Sequence, residues 1–206
     1  AYLIKSTNAT SVTWLVSGRP SLRQLEWVPD AYNLRGLPVD PTAPPTFQNF
    51  FRHSKAHCNP ASGLLEKIYR LNASGQWVQV SSNDFAQSGE ACWIYRRGAS
   101  DFLAPLQASL ELGDGLDFGN ELTELPLRLK NGSTSPMSAM VQDLGGAPAL
   151  SYFQFSPTSG GQWLSLPAPL ITSPAAGGEV RLRVGLRRQD VTGASYATVL
   201  QIKNGA

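Results

Sequence analysis

Histidine is nearly missing from this chain: His53 and His57 are the only two among 206 residues. Serines are plentiful, but with so few bases and no Gly-x-Ser-x-Gly elbow the usual setting for an activated hydroxyl is lacking. Charge is sparse as well, at 16% of residues against roughly 25% in an average globular chain. The net charge of +2 is spread evenly, with ten Lys/Arg and seven Asp/Glu in residues 1–105 and seven and eight in the remainder. Neither half has the basic excess that draws in a polyphosphate, so nucleic acid is disfavoured as a partner. No apolar run approaches the ~18 residues that cross a bilayer as a helix, and no membrane span is expected. There is no phosphate-binding loop and no dinucleotide fingerprint. The 19 Gly and 15 Pro follow no Gly-X-Y period, which excludes collagen and leaves turns as their role.

What the sequence has is alternation. Ile68-Tyr69-Arg70-Leu71 and Gln76-Trp77-Val78-Gln79-Val80 flank the turn-forming Asn72-Ala-Ser-Gly75, the pattern of two half-buried strands joined by a hairpin. The same rhythm recurs from Tyr2 to Lys203. The expected fold is all-β, as two β-sandwich-like domains over 1–105 and 106–206, the second immunoglobulin-like.

In the first domain, strands are expected over 2–6, 11–16, 64–71, 76–80 and 91–96. The stretch from 17 to 40 reads as irregular, broken by Pro29 and Pro38, with a short segment at 32–37 between them. Asp40-Pro-Thr-Ala-Pro-Pro45 is a breaker cluster. Thr46 then stands at a helix cap position before Phe47, Phe50 and Phe51 at i, i+3, i+4, so one short helix is expected over 46–54. After a linker at 100–105, strands are expected over 107–112, 124–130, 136–142, 150–155, 179–186 and 195–203. In 179–187 the alternation is clean: Val180, Leu182, Val184 and Leu186 on one face, Arg181, Arg183 and Arg187 on a solvated other face. The chain begins without Met and runs straight into Tyr2-Leu3-Ile4, which reads as a removed leader or a segment of a longer protein.

Cys58 and Cys92 are an even pair in an all-β chain, and a disulfide between them is expected. It would close a loop of about 35 residues and contribute on the order of 3–4 kcal/mol; the alternative is two buried thiols packed as small apolar groups. Asn8, Asn72 and Asn131 each open an Asn-x-Ser/Thr match to the glycosylation acceptor.

Candidate chemistry is thin. His53, His57 and Cys58 have metal-ligand spacing only if a helix runs through them, and Pro60 argues against that; no metal is assigned. Asp114, Asp117, Asn120 and Glu121 cluster around glycines as calcium loops do, but a pair of solvated turns accounts for them equally. Glu66, Asp84 and Glu90 could supply a carboxylate pair, though no spacing singles them out. No catalytic residue and no cofactor are assigned. Of the five tryptophans, Trp14, Trp77 and Trp93 lie within strands and read as core. Trp27 and Trp163 sit beside Pro- or Gly-rich turns and are the candidates for an exposed sugar platform.

The segment Leu125-Pro-Leu-Arg-Leu-Lys-Asn131-Gly-Ser133 resembles the early strands of bacterial immunoglobulin-like modules. Gly89-x-x-Cys92-Trp-Ile-Tyr95 is similar to the ending of repeated modules in large secreted bacterial proteins. The resemblance implies an extracellular or cell-surface spacer or adhesion module. The expected function is accordingly non-enzymatic: a structural or adhesion protein, a subunit of a surface filament or a segment of a larger envelope protein. Its partners would be other protein chains, by self-assembly or as neighbouring domains, docked through β-edges. The competing expectation is a carbohydrate-binding module with glycans as partner.

Overall fold

A computed structural model describes residues 7, 10, 12, 13, 15, 17–22, 26–59, 61–145, 149–166 and 169–205. The strand expected over 2–6 lies outside them, as do positions 11, 14 and 16 of the run expected over 11–16. The chain is all-β: among the described residues it forms three antiparallel sheets and a single short α-helix. It divides into two compact units, the described parts of Ala1–Arg19 with Leu25–Ala104 and those of Pro20–Gln24 with Pro105–Ala206.

The first unit contains β1 (Ala31–Gly36), α1 (Phe47–Phe51), β2 (Ile68–Leu71), β3 (Trp77–Gln79) and β4 (Ala91–Arg96). Its sheet runs β1-β4-β2-β3. The β2–β3 hairpin closes as its sequence predicts: Ser74 and Gln76 N–H donate to Asn72 Oδ1 at 3.0 and 2.8 Å, and Gly75 takes a φ of +76°, which glycine adopts without strain. The segment around 32–37, read as irregular, is a full strand that pairs with β4 from Ala31↔Arg96 to Gly36↔Ala91; the flanking prolines bound it without entering it.

Thr46 caps α1, its Oγ1 accepting from Asn49 N–H at 3.1 Å. The helix stops at Phe51, short of the expected 54, because tight turns take over: Ser54 N–H donates to Phe51 O and His57 N–H to Ser54 O. Phe47, Phe50 and Phe51 are all buried and pack with Trp27, Phe102, Ile68, Cys92 and Ile94. Each such burial contributes about 2–3 kcal/mol. Among the described residues the layer facing this sheet is thus helix and loop.

The second unit contains β5 (Leu106–Leu110), β6 (Glu124–Asn131), β7 (Ala139–Asp143), β8 (Leu150–Ser156), β9 (Gly160–Ser165), β10 (Leu170–Thr172), β11 (Glu179–Leu186) and β12 (Leu200–Asn204). Five strands run β5-β6-β11-β8-β9 and three run β10-β7-β12. Leu127, Leu129 and Val184 of the larger sheet meet Ala139 and Val141 of the smaller in one core, a sandwich. The arginines of β11 do face outward, where Arg183 pairs with Glu124 at 2.6 Å and Arg181 with Glu111 at 3.1 Å. Such exposed pairs contribute a few tenths of a kcal/mol each.

Asn131 opens one of the matches to the glycosylation acceptor, yet its side chain is fully buried. Its Nδ2 donates to Ser135 O at 2.8 Å and Pro174 O at 3.1 Å, and its Oδ1 accepts from Ser133 N–H at 2.8 Å. Every group a glycan would need is already used inside the fold. Asn131→Ala removes three hydrogen bonds and takes from buried Ser133 N–H its acceptor, while Ser135 O and Pro174 O keep Ser133 Oγ and Met137 N–H; it is expected to cost about 1–3 kcal/mol, read as a fall in the urea midpoint. Wild-type protein made in a glycosylating host should carry no sugar at this position by mass spectrometry.

Candidate functional site

The expected disulfide is absent: Cys58 and Cys92 are free thiols, both buried. Cys92 lies on the inner face of β4, between Arg35 of β1 and Arg70 of β2 in register, while Cys58 forms an isolated bridge with Leu65. Both belong to the phenylalanine-lined core and fill it as small apolar groups. Burial, reinforced by Glu90 and opposed by Arg70, pushes the Cys92 thiol up to about 12. Burial likewise raises Cys58. Neither is poised as a nucleophile.

The two histidines part company because the helix ends before them. His53 Nε2 accepts from Arg52 Nε at 2.7 Å. His57 is buried in the core, its ring stacked on Phe51 at 4.6 Å and edge-on to Trp27 at 4.7 Å. Its Nδ1 lies 2.7 Å from Ser54 Oγ, and its Nε2 has no hydrogen-bond partner among the described residues. Burial first, and then the charge of Arg96, lowers its pKa to about 4. Arg96 itself is buried, with Nη1 donating to Trp27 O at 2.6 Å and Nη2 to Ser100 O at 2.8 Å.

Among the described residues no group of three His, Cys, Asp or Glu side chains is placed to hold a metal. In the acidic loop, Asp117 Oδ1 accepts from Gly119 N–H, a local turn, and Asp114 Oδ2 accepts from Ser21 Oγ, a long-range contact that Leu22 N–H reinforces on Asp114 O. The three scattered carboxylates are also engaged locally: Glu66 with Arg97, Glu90 with Arg70, and Asp84 with Ser81 N–H.

The tryptophans are distributed otherwise than the sequence suggests. Trp27, a candidate for exposure, is buried, held by His57 and by Arg35 at 5.0 Å from its ring. Trp163 is 42% exposed on β9. It borders a concavity of about 330 Å³ with Glu124, Ser151, Gly185 and Gln189. The indole nevertheless has structural neighbours. A Cβ on Gly185 would stand 2.6 Å from its Cζ3, so only glycine fits beneath it. Arg183 stands over it at 5.3 Å and over Phe153 at 4.2 Å, where a sugar would otherwise stack.

Trp77 and Trp93, read as core, lie on the opposite face of their sheet. Cys92, Ile94 and Arg96 are the buried phase of β4, so Trp93 and Tyr95 point away from the phenylalanines. Register carries the same face across the sheet: Tyr32 pairs with Tyr95, Leu34 and Tyr69 with Trp93, and Leu71 with Trp77. The remaining outward positions in the paired rows are Gly36, Ala91 and Gln79. Five aromatic rings therefore share one face, bordered by exposed Lys67, whose carbonyl accepts from Tyr95 N–H, and by the Glu66–Arg97 pair. They meet edge to face, Tyr32 with Tyr69 and Tyr95 at 5.8 and 5.2 Å and Trp77 with Trp93 at 6.2 Å. Tyr32 is 43% exposed. Desolvation, then a hydrogen bond with Tyr69, raises its phenol above the ordinary value.

A second feature is the margin of the sandwich at β12. That strand pairs with β7 from Leu200↔Asp143 to Asn204↔Ala139. Leu144 N–H donates to Val199 O and Gly205 N–H to Ser138 O. Antiparallel hydrogen-bonded pairs alternate, so the backbone groups of Leu200, Ile202 and Asn204 point away from β7. Among the described residues no strand pairs with that side. Leu200 and Ile202 pack on the core yet remain only partly buried. The approach to β12 is locked: buried Asp143 accepts through Oδ1 from Gly145 N–H at 2.9 Å and from Thr198 Oγ1, and through Oδ2 from Tyr196 OH at 3.3 Å.

Comparison with known proteins identified no matching family model, no matching curated protein and no matching solved structure.

Two outcomes follow from the buried groups. The folded pKa of His57 is depressed below its ordinary 6.5, so between pH 6.5 and about 4 the unfolded chain binds the proton and the folded one does not. Stability is therefore complete above pH 6.5 and declines on acidification, by about 3 kcal/mol across that window. Urea midpoints measured from pH 7.5 to 4 should track this loss, and His57→Leu should flatten it. A thiol reagent at neutral pH should label neither cysteine in the native protein and both after denaturation, whereas a bridged pair would label in neither state.

Proposed function

We propose that this chain is a non-enzymatic subunit of an extracellular or cell-surface assembly, whose second unit takes up an extended strand from a neighbouring subunit along β12. The observation that carries the reading is the row of backbone groups at Leu200, Ile202 and Asn204, directed away from β7 beside core side chains that are only half covered. A strand added there would satisfy those groups and complete the burial of Leu200 and Ile202, the physics of β-augmentation. The resemblance of residues 125–133 to immunoglobulin-like modules, found in spacers and adhesins, agrees with this role, as does the two-sheet sandwich. The scant charge and shielded cysteines are compatible with it.

Proline in an edge strand is tolerated where its nitrogen faces outward, so Ile202→Pro removes one outward donor without touching the β7 ladder. Sedimentation velocity over a wide concentration range should show self-association of the wild type, and the variant should lose it while keeping its circular dichroism spectrum. A wild type that stays monomeric throughout, or a variant that associates equally well, overturns the reading.

A further inference from the structure

The outer face of the four-stranded sheet is not used by the assembly proposed for the second unit. We infer that this face, built on Tyr32, Tyr69, Trp77, Trp93 and Tyr95, is a binding platform for a neutral polysaccharide chain.

Three observations lead there. The first is placement. Strand alternation gives a sheet one buried face, and here the buried one is Ile68, Cys92 and Ile94 against α1. A solvent face ordinarily carries polar and charged groups; this one carries five aromatic rings, and none of them belongs to the core cluster. The second is charge. The outward positions of the paired rows from β1 to β3 carry no charged side chain; at their margin stand Lys67, opposite Tyr95, and Arg97, which is neutralised by Glu66 at 2.9 Å. An anionic polymer, whether nucleic acid or sulfated glycan, meets a single marginal lysine there and no basic stripe, although stacking on aromatic strands is how single-stranded nucleic acid would otherwise be held. The third is ring chemistry. Phenol hydroxyls and indole N–H groups lie at ring edges, while the ring faces accept apolar contact. A pyranose offers the complement, C–H groups on its flat sides and hydroxyls around its rim. With four strands about 4.8 Å apart, the platform extends about 14 Å, enough for several linked sugars.

The chain also carries its own internal controls. Trp27 is buried in the core of the same unit, and Trp163 lies on β9 of the other. Titrating the full chain with cellohexaose, chitohexaose and mannohexaose, with hexagalacturonate as the anionic arm, while following the indole N–H resonances by NMR, separates the possibilities. At least one neutral hexasaccharide should shift Trp77 and Trp93 and leave Trp27 and Trp163 in place, and added salt should not weaken it. Trp93→Ala should lower that affinity roughly tenfold or more. Because Trp93 is central, the edge-strand substitution Trp77→Ala serves as a second variant with less risk to folding. The inference is overturned if no neutral sugar moves Trp77 or Trp93, if only Trp163 responds, if only hexagalacturonate binds, or if Trp77→Ala abolishes self-association, which would place a second copy on the platform. Ile202→Pro should bind sugar as the wild type does, so failure of the assembly reading and failure of this one give different results.

Discussion

The first unit is governed by volume. Three phenylalanines delivered by a five-residue helix fill the space on one side of the sheet, and a close-packed interior fixes which strand positions face them. Ile68, Cys92 and Ile94 occupy those positions. Because side chains along a strand alternate strictly, fixing Cys92 inward fixes Trp93 outward. The aromatic outer face is therefore a consequence of how the inner face is packed. The same alternation forces Arg35, Arg70 and Arg96 onto the inner phase. Each is accommodated by a carbonyl or an aromatic ring: Arg96 by Trp27 O and Ser100 O, Arg70 by Phe85 O and the Phe47 ring, Arg35 by Glu26 O and the Trp27 ring.

Polar groups buried in the second unit do a different job. Asn131 satisfies the loops at 133–135 and 174, and Asp143 ties β7 to the chain entering β12. Both set where strands begin and end. Buried networks of this kind favour one arrangement over its alternatives, since a shifted register would strand their donors and acceptors.

Much of this was legible beforehand. The hairpin at 68–79, the capped phenylalanine helix and the alternating β11 all follow from local pattern, and each formed within a few residues of its expected limits. Besides β1, two short strands did not announce themselves. β9 begins Gly160-Gly161 and reads as a turn, yet a side chain at Gly161 would run into the Phe153 ring across the strand pair. β10 has only three residues, too few for a period to register. The aromatic face was hidden for another reason. In Cys92-Trp93-Ile94-Tyr95 both phases are apolar, so hydrophobicity alone cannot say which points inward; the partner helix decides, and it lies some forty residues earlier in the chain. The cysteine pair shows the limit of counting, because an even number says nothing about whether two thiols meet.

The anchoring of β12 also bears on how the second unit would carry a load. Its ladder to β7 is held near one end by the Asp143–Thr198 contact and at the other by Gly205 N–H on Ser138 O. Tension applied along the strand would strain all of those hydrogen bonds together, in shear, instead of peeling them apart singly. A sandwich gripped in that way yields late and abruptly, the mechanical behaviour of a link in a chain.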